Sequence, residues 1–116
     1  PNALGPYSQA IVTDTLVFCS GQGPMDPETN TIVEGDVAVQ TERTMDNIKA
    51  LLAEMGLDFS DVVKATCYLK DMDDFKAFNE VYGSYLPEPY PARTTIQAAR
   101  LPLDILVEIE VIAQKR

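Results

Sequence analysis

Hydrophobic spacing changes period several times along the chain, and each change marks an element. The turn signal Gly5-Pro6 launches a first strand from Tyr7 to Val12. Thr13-Asp14 turns the chain into a second strand, Leu16 to Ser20. Its unbroken apolar run Leu16-Val17-Phe18-Cys19 predicts burial on both faces. Gly21-Gln22-Gly23-Pro24 breaks that strand. Asp26-Pro27-Glu28-Thr29-Asn30 then carries turn chemistry, with proline presetting φ and asparagine tolerating the left-handed region.

At Asp36 the period becomes helical. Asp36 serves as N-cap, and a long helix is expected to run to about Met55. Val37, Thr41, Thr44, Met45, Ile48, Leu51, Leu52 and Met55 share one face, the core stripe, and Gly56 stands where a C′ glycine belongs. Val62 to Leu69 alternates as a strand, with Val63, Ala65, Cys67 and Leu69 on one face and Lys64, Thr66 and Tyr68 on the other. Asp71 or Asp73 caps a second helix ending near Tyr85, whose stripe is Phe75, Phe78, Asn79 and Tyr82. After the irregular Pro87, Pro89 and Pro91 segment comes a strand from Thr94 to Ala99. Leu101-Pro102 turns the chain into a last strand, Ile105 to Ala113, in which Ile105, Val107, Ile109 and Val111 alternate with Leu106, Glu108, Glu110 and Ile112.

The order strand–strand–helix–strand–helix–strand–strand predicts an α+β layer, with two amphipathic helices covering one face of a mixed or antiparallel sheet. Apolar residues such as Leu106 and Ile112 are left on the open face, which predicts self-association. The 116 residues suit a single domain, 1–116, large enough to build a core.

Composition narrows the chemistry. There is no histidine, and the two cysteines, Cys19 and Cys67, sit in apolar runs without metal-ligand spacing. They are expected to be buried, reduced thiols; no metal site and no histidine acid–base pair is expected. Catalysis would fall to carboxylates, arginine, hydroxyls, backbone groups or water. A net charge of −9 argues against nucleic-acid binding but permits a small anion held by one arginine. No apolar run reaches the ~20 residues of a membrane span. The expected location is cytoplasmic, or mitochondrial if a targeting segment precedes Pro1.

Arg93, after Pro91-Ala92 at the entry to a strand, is the leading candidate, because a guanidinium grips a carboxylate through two parallel hydrogen bonds. The alternative is a surface arginine in a salt bridge. Glu108 can orient or deprotonate a water, but Glu110 shares its parity and spacing does not choose between them. Asn79 reads equally as a ligand contact or a satisfied buried amide. On pattern alone, Tyr7 and Ser20 are ordinary strand residues.

Several stretches together resemble the RidA/YjgF family over nearly the whole chain. They are Gly5-Pro6-Tyr7-Ser8-Gln9-Ala10, Ser20-Gly21-Gln22 with Pro24 and Asp26-Pro27, and Gln40 and Asn47 before Leu51-Leu52. Further along come Asp61-Val62-Val63-Lys64-Ala65-Thr66, Asp71-Met72, Phe75, Asn79 and Tyr82. The most specific are Pro91-Ala92-Arg93, Ala99-Arg100-Leu101-Pro102 and Val107-Glu108-Ile109-Glu110. The resemblance implies a chorismate-mutase-like fold: a mixed sheet with two helices on one face, and a homotrimer around a central β-barrel. It implies active sites between subunits that hydrolyse 2-imino or enamine acids, released by pyridoxal-phosphate enzymes, to 2-oxo acids and ammonia.

By position, Arg93 would bind the carboxylate of the small-molecule substrate and Glu108 would hold the attacking water. Tyr7, Ser20, Gly21 and Asn79 would line the cleft. No cofactor is implied. Thr95 stands where many family members carry cysteine, and would offer a hydroxyl to substrate or water. Two competing expectations are an endoribonuclease acting as a translation inhibitor, and a non-catalytic module that binds a 2-oxo acid.

Overall fold

A computed structural model describes residues 1–116. Its strands are β1 (Ala10–Val12), β2 (Leu16–Cys19), β3 (Met25–Asp26), β4 (Thr31–Ile32), β5 (Val62–Leu69), β6 (Ala92–Gln97) and β7 (Val107–Gln114). The helices are α1 (Val37–Glu54) and α2 (Phe75–Ser84), with single 3₁₀ turns at Phe59–Asp61, Met72–Asp74 and Pro102–Asp104. The main sheet runs β1-β2-β7-β5-β6, and β3 and β4 form a separate small hairpin. All main-sheet pairs are antiparallel except β5–β6, which is parallel because α2 carries the chain back across the sheet between them. The expected α+β layer, one mixed sheet with two helices, is therefore the fold.

Local chemistry explains the elements. The Asp36 carboxylate accepts from the Val39 N–H at 3.0 Å and opens α1. Gly56 closes it with φ +72°, a conformation costly for any residue with a Cβ. The helix stripe packs Val37, Met45, Ile48 and Leu52 against Cys67, Leu69, Val107 and Ile109 of the sheet. Last in sequence, β7 is central in space. Its Val107, Ile109, Val111 and Ala113 are buried under the helices, while Glu108, Glu110 and Ile112 point to the open face.

Two expectations about strand faces need correction. Phe18 is 43% exposed in the protomer while Val17 and Cys19 are buried, so β2 is covered on one face only. In β5, Val62 is buried and Val63 exposed, because Val63 is an extra bulge residue between the pairs Val62–Ala113 and Lys64–Ile112. The bulge breaks the alternation that placed Val63 with Ala65. Boundaries also shift: Tyr7 to Gln9 precede β1, and β6 begins at Ala92 rather than Thr94. The Asp26–Asn30 turn proves to be the loop of the β3–β4 hairpin, with Asn30 left-handed at φ +58°.

Two buried amides fix the loops that matter below. Asn47 donates from Nδ2 to the carbonyls of Gly23 (3.0 Å) and Met25 (2.8 Å). Gln40 donates to the Val33 carbonyl and accepts from the Leu106 N–H at 2.9 Å. Both lie on α1, so the helix anchors the segment after β2 and the segment before β7.

Candidate active site

Two clusters gather the candidate residues, one on each side of the sheet. The first is a cavity of about 610 Å³ lined by Tyr7, Ser20, Gly21, Leu103, Glu108 and Glu110, among others. Its position follows from the backbone. Gln22 and Ile109 exchange both N–H···O bonds, at 2.8 and 3.0 Å, which clamps the Ser20–Gly23 loop against β7 beside Glu108. A Cβ on Gly21 would lie 2.7 Å from Glu108 Oε2, so any larger residue would push the carboxylate out of this position. Ser20 Oγ donates to the Ser8 carbonyl at 2.6 Å, and the Leu4 N–H reaches Tyr7 OH at 3.4 Å.

The two glutamates of β7 are not equivalent. Glu110 accepts from Tyr68 OH at 2.7 Å. Glu108 is half-buried, and its carboxylate makes no hydrogen bond within the chain. Burial raises its pKa above the usual carboxylate range, and the neighbouring Glu110 charge raises it further. No lysine or arginine lines this cavity.

The second cluster lies on the helix face at β6. Arg93 registers with Ala65 of β5, whereas Glu108 registers with Tyr68. Ala65 and Tyr68 point to opposite faces, so Arg93 and Glu108 do too. The Arg93 guanidinium lies 5.0 Å from the ring centroid of Tyr82, 5.4 Å from Phe75 and 5.9 Å from Phe78. Its Nη1 donates to Asn79 Oδ1 at 2.7 Å. The salt-bridge alternative for Arg93 does not occur; the ion pairs belong to Arg100 and Arg116. Asn79 is neither a buried amide nor free, but the acceptor that orients the guanidinium. One turn apart on α2, Phe75, Asn79 and Tyr82 present the platform together.

On the same face of β6 as Arg93 is Thr95, which registers with Cys67; Tyr82 carries a hydroxyl at the end of its platform ring. Both hydroxyl oxygens are buried without a hydrogen-bond partner. Burial pushes the Cys67 thiol up to about 11 and the Tyr82 phenol up to about 12, so neither ionises near neutrality.

The comparisons with known proteins agree on kinship. The family model described as Endoribonuclease L-PSP matches residues 1–115. The chain belongs to the RidA/L-PSP family. A RutC family protein of Pyrococcus abyssi is 52% identical over 115 residues, covering 99% of this chain and 91% of the relative. Reactive Intermediate Deaminase A of Arabidopsis thaliana, a chloroplastic protein, is 50% identical over 113 residues, 97% of this chain and 60% of that longer relative. Among solved structures, RidA from a Psychrobacter species superposes with TM-score 0.94 at 45% identity, covering 98% of this chain and 91% of that one. TdcF of E. coli, solved with bound serine, gives TM-score 0.93 at 39% identity, covering 100% and 93%.

Within this RidA/L-PSP protomer the candidate residues form two sets. Tyr7, Ser20, Gly21 and Glu108 share the cavity; Asn79, Arg93 and Thr95 share the helix-face cluster. Sequence reasoning missed Gln22, whose backbone clamps the loop, and the cavity-mouth leucines Leu4 and Leu103. A glutamine between two glycines was the available signal for the first. No periodic signal marks the leucines, since Leu4 sits outside any element and Leu103 inside a single 3₁₀ turn.

Proposed function

We propose that the protein is a 2-imino acid deaminase whose active site is assembled between copies of the chain, in a homotrimer. One observation carries this reading: each half-site lacks what the other has. The Arg93 cluster has an anion anchor and no base. The Glu108 cavity has a basic carboxylate and no lysine or arginine. Joined across an interface, they supply both functions that hydrolysis of an imine needs.

The chemistry follows. Nη1 of Arg93 is taken by Asn79, which leaves the other N–H groups to hold the substrate carboxylate. Glu108 orients a water and accepts its proton as oxygen bonds to the imine carbon. The raised pKa makes Glu108 a better base than an ordinary glutamate. Glu108 then hands that proton to the carbinolamine nitrogen; the C–N bond breaks and ammonia leaves, while the hydroxyl O–H pair closes the C=O of the 2-oxo acid and its proton returns to the Glu108 carboxylate. An imine is intrinsically electrophilic, so positioning accounts for most of the task. No histidine, metal or cofactor is required. The Thr95 hydroxyl, two residues along β6 on the same face as Arg93, is buried without a partner and is free to accept from or donate to the bound substrate.

Further support comes from relatives. One bears the name Reactive Intermediate Deaminase A, and another binds serine, which carries the carboxylate this site would grip. The apolar open face gives the copies a surface to bury: Ile11 is 56% exposed and Phe18 43%, beside Ile112. Cleavage of RNA, which the family's description suggests, fits poorly with a cavity that holds two glutamates and no lysine or arginine. A cytoplasmic setting suits the two buried free thiols.

The test mixes two inactive variants. Arg93→Ala and Glu108→Gln should each be inactive on imines generated by a threonine dehydratase. Unfolded together and refolded as a 1:1 mixture, they should recover about a quarter of wild-type activity, because that fraction of shared sites pairs two intact halves. A mixture as dead as its parents would sink the shared site.

A further inference from the structure

We infer that Leu103 is a specificity-determining residue, and that it selects imino acids with a branched or extended apolar side chain. This rests on the deaminase reading above. The starting point is backbone strain. Leu103 has φ +58° and Asp104 φ +52°, two consecutive residues with Cβ atoms in the left-handed region. Such positions are uncommon and persist only where the surroundings enforce them.

The surroundings are clear. Leu101 and Ile105 are buried and pin the two ends of the turn, while Pro102 locks the backbone at its first position. The Asp104 N–H closes the turn on the Leu101 carbonyl at 3.1 Å. An Arg100–Asp104 ion pair spans it on the surface, too exposed to stabilise it much.

What the enforced conformation does is project a leucine outward. Leu103 is 64% exposed, so the protomer's own packing gives it little reward. It nevertheless lines the cavity that holds Glu108, and it shares that lining with Leu4 and Tyr7, which are also exposed. The lining is therefore of two kinds. Ser20, Gly21 and the carboxylate of Glu108 are polar, while Leu4, Tyr7 and Leu103 are exposed and largely apolar. A 2-imino acid has the same division, with a reacting polar head and a variable side chain. With the imine carbon at Glu108, the side chain's partners are the apolar members of the lining. An acidic side chain would meet Glu108 and Glu110 with no lining lysine or arginine to offset them.

Leu103→Gly tests this, since glycine suits φ +58° and the variant folds without that strain. Imines made from leucine and from alanine by an amino acid oxidase are followed by trapping with semicarbazide. The expected result is a loss of about tenfold in kcat/KM for the leucine imine, with the alanine imine within about twofold of wild type. The melting temperature should equal or exceed that of wild type. Leu103→Met, which keeps an apolar side chain, should restore most of the preference. Equal effects on both imines, or none on either, would overturn the assignment of Leu103 and leave the deaminase reading standing. If the wild type speeds the loss of neither imine, the deaminase reading itself fails, and the role of Leu103 with it.

Discussion

Arg93 and Glu108 stand on opposite faces of one sheet and are held by opposite means. Side chains hold Arg93: three aromatic rings from α2 and the Asn79 amide, all of which favour its charge. Backbone holds Glu108: the clamp between Gln22 and Ile109, and the bare Cα of Gly21 against the carboxylate. Nothing near Glu108 favours its charge, and both burial and Glu110 oppose it. One face thus stabilises an ion and the other destabilises one. The stabilised cation suits an anchor that stays put through a reaction. The destabilised carboxylate suits a group that takes up a proton and gives it back.

That contrast is most severely tested by separating the faces. Phe18→Asp places a charge in the open-face patch with Ile11 and Ile112. Because Phe18 is exposed in the protomer, the chain should still fold. Sedimentation should show a monomer, and deaminase activity should disappear. A fully active monomer would mean that the two faces never needed to meet.

Next in size is the anchor. Arg93→Lys keeps the charge and loses the fork, and should lower kcat/KM by about 100-fold, with Arg93→Ala at least as severe. Stability should fall by no more than about 1–2 kcal/mol, from lost contact with the rings. A lysine variant within a few-fold of wild type would show that charge alone suffices. On the other face, Gly21→Ala should cost about tenfold in kcat, since its Cβ would displace the Glu108 carboxylate. Melting should change little, because the loop is held by the Gln22–Ile109 bonds rather than by Gly21. Unchanged kcat would mean that the position of Glu108 does not matter.

Much of this was legible in the sequence, and the gaps have physical causes. The α1 stripe, its Asp36 cap and Gly56 stop were readable because helix period and capping chemistry are local. The reach of β5 from Val62 to Leu69 was readable, but the bulge at Val63 was not, since a bulge is a property of pairing with β7. Phe18 looked doubly buried because an apolar run does not say which of its faces is covered by the same chain. Glu108 and Glu110 share a parity, and only the Tyr68 hydroxyl, brought alongside by the β5–β7 register, tells them apart. Arg93 and Glu108 were singled out individually. Their placement on opposite faces emerged only once β6 paired parallel to β5.

The smallest effect concerns the cause of Glu108's raised pKa. A carboxyl whose folded pKa lies above its unfolded value contributes stability below the unfolded value and loses it as pH rises through the folded one. Glu108→Gln should therefore be inactive, yet at least as stable as wild type near neutral pH, with any gain vanishing in acid. Glu110→Gln isolates the second cause. The amide keeps an acceptor oxygen for the Tyr68 hydroxyl, so packing survives while the neighbouring charge goes. Burial, the larger cause, remains. The pKa of Glu108 should then move down without reaching the ordinary range. Activity needs the ionised form, so the acid limb of the kcat/KM profile should move to lower pH, and the variant should outperform wild type on the acid side. A limb that stays fixed would mean that Glu108 is not the group titrating. One that moves to higher pH would mean that Glu110 assists the ionisation it is expected to oppose.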